Sequence, residues 1–70
     1  MKISARNALS GKIVSITRGA VNAEVVIELA EGMQITSVIT LASVDRLGLR
    51  EGAQAYAVVK ASDVMIAVDE

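Results

Sequence analysis

The sequence predicts an all-β domain, a small barrel carrying one short helix. Three observations predict it. Apolar and polar residues alternate with a period of two along much of the chain, and β-branched runs end at glycine-containing turns. A single short stretch has helical spacing.

Taken in order, Lys2 to Asn7 reads as extended, and nothing nearby fixes its partner. Lys12 to Thr17 is rich in β-branched residues (Ile13, Val14, Ile16) and follows Gly11, where a bend or bulge is expected. Gly19 punctuates the passage into a hairpin. Its first strand sets Val21, Ala23, Val25, Ile27 and Leu29 on one side, with Asn22, Glu24 and Glu28 on the other. Val26 breaks the alternation and is expected to face a neighbouring subunit. Ala30-Glu31-Gly32 makes the turn, and the return strand directs Met33, Ile35, Ile39 and Leu41 inward, with Gln34, Thr36 and Thr40 outward. Ala42 to Leu47 is the helical piece: Leu41, Val44 and Leu47 are three apart, and Gly48 stands where a C-terminal cap belongs. After the turn at Arg50-Glu51-Gly52, Ala53 to Lys60 and Val64 to Val68 read as two more strands, broken at Ala61-Ser62-Asp63. Several short strands and one helix on so short a chain fit a barrel of the OB kind.

The chain has 70 residues, expected to form one domain over 1–70. A domain of that size buries only about 60% of the surface its unfolded chain exposes. Disulfides and structural zinc are closed to it, because it has neither cysteine nor histidine. Association remains, and a hydrophobic content of 53% agrees with it. No apolar run is long enough to cross a membrane, and the N-terminus has no secretory h-region, so the cytoplasm is the expected location. A net charge of −1 argues against a broad nucleic-acid surface, and Tyr56 is the only aromatic residue on which a base could stack.

Catalysis is not expected. Without histidine and cysteine the usual proton shuttle, thiolate nucleophile and serine triad are all missing. The carboxylates are scattered over a strand face, turns and the tail, which is no metal cluster and reads as solvated surface. Short donor-rich segments are what the sequence offers. Ser4-Ala5-Arg6-Asn7 combines a hydroxyl, a guanidinium and an amide, and small Ala5 lets backbone N–H groups approach a ligand. Lys60-Ala61-Ser62 has the same character, and neither segment holds a carboxylate. In Gly19-Ala20-Val21-Asn22-Ala23, small residues flank an amide.

These segments resemble a known family. Ser4-Ala5-Arg6-Asn7, Leu9-Ser10-Gly11 and Gly19-Ala20-Val21-Asn22-Ala23-Glu24-Val25 are similar to the Mop-type molybdate-binding domain of the molbindins. The likeness continues through Thr36 to Thr40, Leu47-Gly48-Leu49 with Glu51-Gly52, and Lys60-Ala61-Ser62 before Val64-Met65-Ile66. The resemblance implies an OB-like barrel whose copies exchange strands into dimers, with trimers of dimers as homohexamers. It implies molybdate or tungstate held at subunit interfaces, with no other cofactor. The main site maps onto Ser4, Ala5, Arg6, Thr40, Lys60, Ala61 and Ser62, and a second site onto Ala20, Val21 and Asn22. A dianion with oxygens pointing four ways needs such converging donors.

With no ATPase motif and no DNA-binding domain in these residues, the expected role is storage or buffering of the oxyanion. Two other readings compete. One is a swapped-hairpin DNA-binding protein of the AbrB kind, favoured by Leu47 to Gly52 but lacking a basic N-terminal half. The other is an oligomerisation module whose polar loops bind nothing.

Overall fold

The computed structural model describes residues 1–70. Its element order is β1 (Asn7–Arg18), β2 (Asn22–Ala30), β3 (Met33–Thr40), α1 (Leu41–Leu47) and β4 (Gln54–Val59), followed by a single 3-10 turn at Ala61–Asp63. The four strands form one antiparallel sheet in the order β3-β2-β1-β4, curled into a half-barrel. The expected hairpin is there as β2 and β3, paired from Asn22↔Thr40 to Ala30↔Met33.

Strand β1 organises the rest. It is longer than the alternation alone predicts, because Asn7 to Lys12 pairs with β4 while Lys12 to Arg18 pairs with β2. Lys12 stands opposite both Gln54 and Glu28, so the strand changes partner there. The expected bulge lies just beyond it, between Ile13 and Ser15, rather than at Gly11. Gly11 has a different purpose. A Cβ at this buried position would stand 2.5 Å from the carbonyl oxygen of Glu28 and 2.7 Å from Cγ2 of Ile27. The missing side chain lets β2 cross close over β1 as the sheet curls.

Inside the curl, Ile13, Ala23, Val25, Ile27 and Val44 form the buried core, with Ile16, Leu29, Ile35, Ile39, Leu41, Leu49, Ala55 and Ala57 packed around it. Helix α1 closes one end against β2 and β3, and contributes the fully buried Val44. The Thr40 hydroxyl caps it, accepting from the Ser43 N–H at 3.1 Å and donating to Ser43 Oγ at 2.9 Å. Gly48, in the left-handed region at φ 64°, ends it by donating to the Asp45 and Val44 carbonyls. An exposed Arg18–Asp45 pair at 3.3 Å joins the helix to the end of β1.

Several residues depart from their expected places. Val21 precedes β2 and is 70% exposed, and Met33, at the hairpin turn, is 59% exposed. Both lie at strand ends, where alternation no longer governs which way a side chain points. Val26 is half-buried, across from Ser15 and Thr36, between inward-facing Val25 and Ile27. The expected last strand is the main correction. Val64 is extended, but residues 64–68 join no ladder, and Met65 (92%), Ile66 (85%) and Val68 (84%) stand in solvent. Strand pairing needs an open edge within reach, and the chain turns away from β4 at the 3-10 turn. The sheet's own edges, β3 and β4, stay apart across a hollow of about 220 Å³ lined by Ile35, Thr36, Ser37 and Tyr56 to Val59.

The close approach at Gly11 yields a stability prediction. Gly11→Ala adds one methyl where backbone leaves no room, and overpacking of this kind costs about 1–3 kcal/mol. A urea titration is expected to show a lower midpoint with an unchanged slope.

Candidate functional site

The register of β1 with β4 builds the candidate site. The ladder closes at Asn7↔Val59. Carried one residue further, the same antiparallel register sets Arg6 across from Lys60, then Ala5 from Ala61 and Ser4 from Ser62. Two segments far apart in sequence, each expected to supply donors, thus meet at one end of the sheet. They do not zip up into further rungs. Beyond Val59 the chain folds into the 3-10 turn, with the Asp63 N–H donating to the Lys60 carbonyl at 2.9 Å and the Val64 N–H to that of Ala61 at 3.3 Å.

The result is an open cavity of about 620 Å³ lined by Ser4, Ala5, Arg6, Val58, Lys60, Ala61, Ser62 and Asp63. The side chains of Ser4, Arg6, Lys60 and Ser62 are exposed, and none is engaged in a side-chain hydrogen bond or an ion pair within the chain. Two hydroxyls, a guanidinium and an ammonium are therefore free to turn toward a bound group. Chemically this is a set of hydrogen-bond donors with a positive bias, suited to an anion with several acceptor oxygens.

Asp63 is a member of this cavity that the sequence does not reveal. The segment Lys60-Ala61-Ser62 holds no carboxylate, but the 3-10 turn brings the next residue back onto the cavity wall. The signal was the break between two apolar runs, which marks a turn without telling which way it winds.

Thr40 stands apart from this cavity. It pairs with Asn22 across the hairpin, and its hydroxyl is committed to the cap of α1. Within one chain its neighbours are those of the second expected segment. There the Val21 carbonyl accepts from the Leu41 N–H at 2.9 Å, and the Asn22 carbonyl from the Gly19 N–H at 2.8 Å. These bonds hold Ala20, Val21 and Asn22 in a tight, exposed corner beside the start of α1.

Comparison with known proteins agrees with this architecture. The model of the TOBE domain matches residues 3–66. Molybdenum-pterin-binding protein 2 of Clostridium pasteurianum is 59% identical over 66 residues, covering 94% of this chain and 97% of that protein. A molybdate-binding protein from Sporomusa ovata has a similar structure, with a TM-score of 0.90 and 35% identity over 97% of this chain and all of that one. The cytoplasmic molybdate-binding protein ModG, solved with molybdate bound, gives a TM-score of 0.87 at 51% identity. The match covers 93% of this chain and 46% of ModG.

The geometry around Thr40 predicts a scaffold effect. Thr40→Ala removes the cap of α1 and is expected to lower unfolding stability by about 1 kcal/mol. Thr40→Ser keeps the hydroxyl and is expected to keep the stability, both read from urea unfolding midpoints.

Proposed function

This chain belongs to the TOBE domain family, among its Mop-type molybdate-binding members, and from that membership we propose that it binds and stores molybdate or tungstate at interfaces between copies of itself. The observation that carries the reading is the convergence of Ser4 to Arg6 and Lys60 to Ser62 on one cavity, their side-chain donors unpartnered. Arg6 and Lys60 supply charge, Ser4 and Ser62 supply hydroxyls, and small Ala5 and Ala61 leave the backbone accessible. Charge-assisted hydrogen bonds contribute roughly 1.5–3 kcal/mol each. Micromolar binding requires about 8 kcal/mol net, so several donors must close on one ion. An open cavity on a single chain surrounds a tetrahedral ion poorly. A second copy completes the cage, and it is from such a copy that Thr40 would reach the ion, its hydroxyl exchanging the bond it donates to Ser43 Oγ for one to the ion while it still accepts from the Ser43 N–H. Ala20, Val21 and Asn22 serve as a second, smaller oxyanion site.

In this reading residues 1–70 act as one domain, the protein binds without catalysing, and it works in the cytoplasm, as ModG is described to do. No helix is long and apolar enough to cross a membrane. The partner is another copy, with no nucleic acid. Few side chains are buried, and the apolar residues of both unpaired termini stand in solvent. Exchange of those termini between copies pairs them and gives the dimer, three of which form the hexamer.

Sedimentation at micromolar concentration is expected to show an oligomer, with six copies as the favoured state. A folded monomer would remove the interface and the cage with it.

Lys60→Met tests the site. Methionine keeps the stem but deletes the charge and its donors, and losing such a contact to a buried ion costs on the order of 2–5 kcal/mol, about 30-fold or more in affinity. Calorimetric titration with molybdate, on protein of unchanged subunit count, is the measurement. A change below threefold would mean that Lys60 is a solvated strand-end lysine.

A further inference from the structure

The cavity has a member that an oxyanion site does not require. Ser4, Arg6, Lys60 and Ser62 all present hydrogens, whereas the ionised carboxylate of Asp63 presents only acceptor oxygens. We propose that Asp63 is an affinity and charge-selectivity determinant of this cavity, a role that rests on the oxyanion reading above. Three observations carry it. Asp63 lines the same wall as both cations. Its carboxylate forms an ion pair with neither, the chain's one ion pair being Arg18–Asp45. Its backbone is held there by the bond from its N–H to the Lys60 carbonyl, so the same turn carries the attracting ammonium and the opposing carboxylate.

The consequence follows from charge. Arg6 from the N-terminal segment and Lys60 from the end of β4 attract an entering anion, and Asp63 repels it. These three are the charged groups on the cavity wall. A fully deprotonated tetrahedral ion carries no hydrogen for the carboxylate to accept, so the contact is repulsive without compensation. The repulsion grows in proportion to the ion's charge. Asp63 therefore holds the affinity for a dianion below what the donors alone would give. It penalises a monoanion of the same shape less. A binding site tempered in this way releases its ion more readily, which suits a protein that must give up what it holds.

The test uses the full chain in its native oligomeric state, titrated calorimetrically with molybdate, a dianion, and with perrhenate, a tetrahedral monoanion. Asp63→Asn keeps size and turn but removes the charge, and is expected to tighten molybdate binding about tenfold, or about 1.4 kcal/mol. Halving the ion's charge halves the repulsion, so the gain for perrhenate is expected to be only about threefold. Asp63→Glu restores the charge and is expected to return both affinities toward those of the unaltered chain. Equal gains for the two ions, or weaker molybdate binding in Asp63→Asn, would overturn the proposal. Asp63 would then act through shape or by orienting Lys60. Lys60→Met, run alongside, separates the two readings. If it loses molybdate while the Asp63→Asn gains do not sort by charge, only the role of Asp63 fails. If it binds molybdate unchanged, the cavity is not the oxyanion site and both fail.

Discussion

Everything in this molecule hangs on the double pairing of β1. One strand serves two neighbours in succession, β4 along its first half and β2 along its second, and Lys12 is the hinge residue between them. A strand that changes partners must bend, and the bulge between Ile13 and Ser15 supplies the bend. It must also be crossed closely, and Gly11 allows that. From this one constraint come the curl of the sheet, the direction in which Ile13, Val25 and Ile27 face, and the register that sets Asn7 against Val59.

The same curl explains why the fold is economical and incomplete at once. Four strands and a seven-residue helix enclose a core of five buried side chains. The sheet does not close on itself, since β3 and β4 remain separate edges with an apolar hollow between them. A chain of this length has too little interior to bury its hydrophobic residues, and many of those left outside stand at its unpaired ends and along its edge strands, β3 and β4. Open edges and exposed apolar residues normally invite further pairing. Here they belong to a family whose relatives include a Sporomusa ovata molybdate-binding protein of nearly the same backbone.

Much of this was legible in the sequence, wherever local chemistry decides the outcome. Strict alternation in Ala23, Val25 and Ile27 against Asn22 and Glu24 marked the hairpin, and the spacing of Leu41, Val44 and Leu47 before Gly48 marked the helix. The start of β1 was not legible, because Ala8, Leu9 and Ser10 carry no alternation and owe their strand to β4. Val64 to Val68 reads as a strand and is apolar enough to be one, but pairing is a property of two segments and no edge of the chain receives it. The donor-rich character of Ser4 to Arg6 and Lys60 to Ser62 was visible in their residues, while their meeting depends on the β1–β4 register. Asp63 depends on the winding of a single turn, and Thr40, as a helix cap, is bound to local structure before anything else.

The end of the β1–β4 ladder has one more consequence. Ser4 to Arg6 and Lys60 to Ser62 lie where the next rungs would form, yet no backbone bond joins the two segments. An ion gripped by both would act as an ionic rung, crosslinking the two segments at the point where a small sheet begins to fray. Occupancy would then be felt as mechanical closure of the fold as well as capture of a ligand. By mass action a hundredfold excess over the dissociation constant adds about 2.7 kcal/mol to the folded state. Loaded and empty molecules would differ most in these two segments, and the empty one would present them more loosely to a protease.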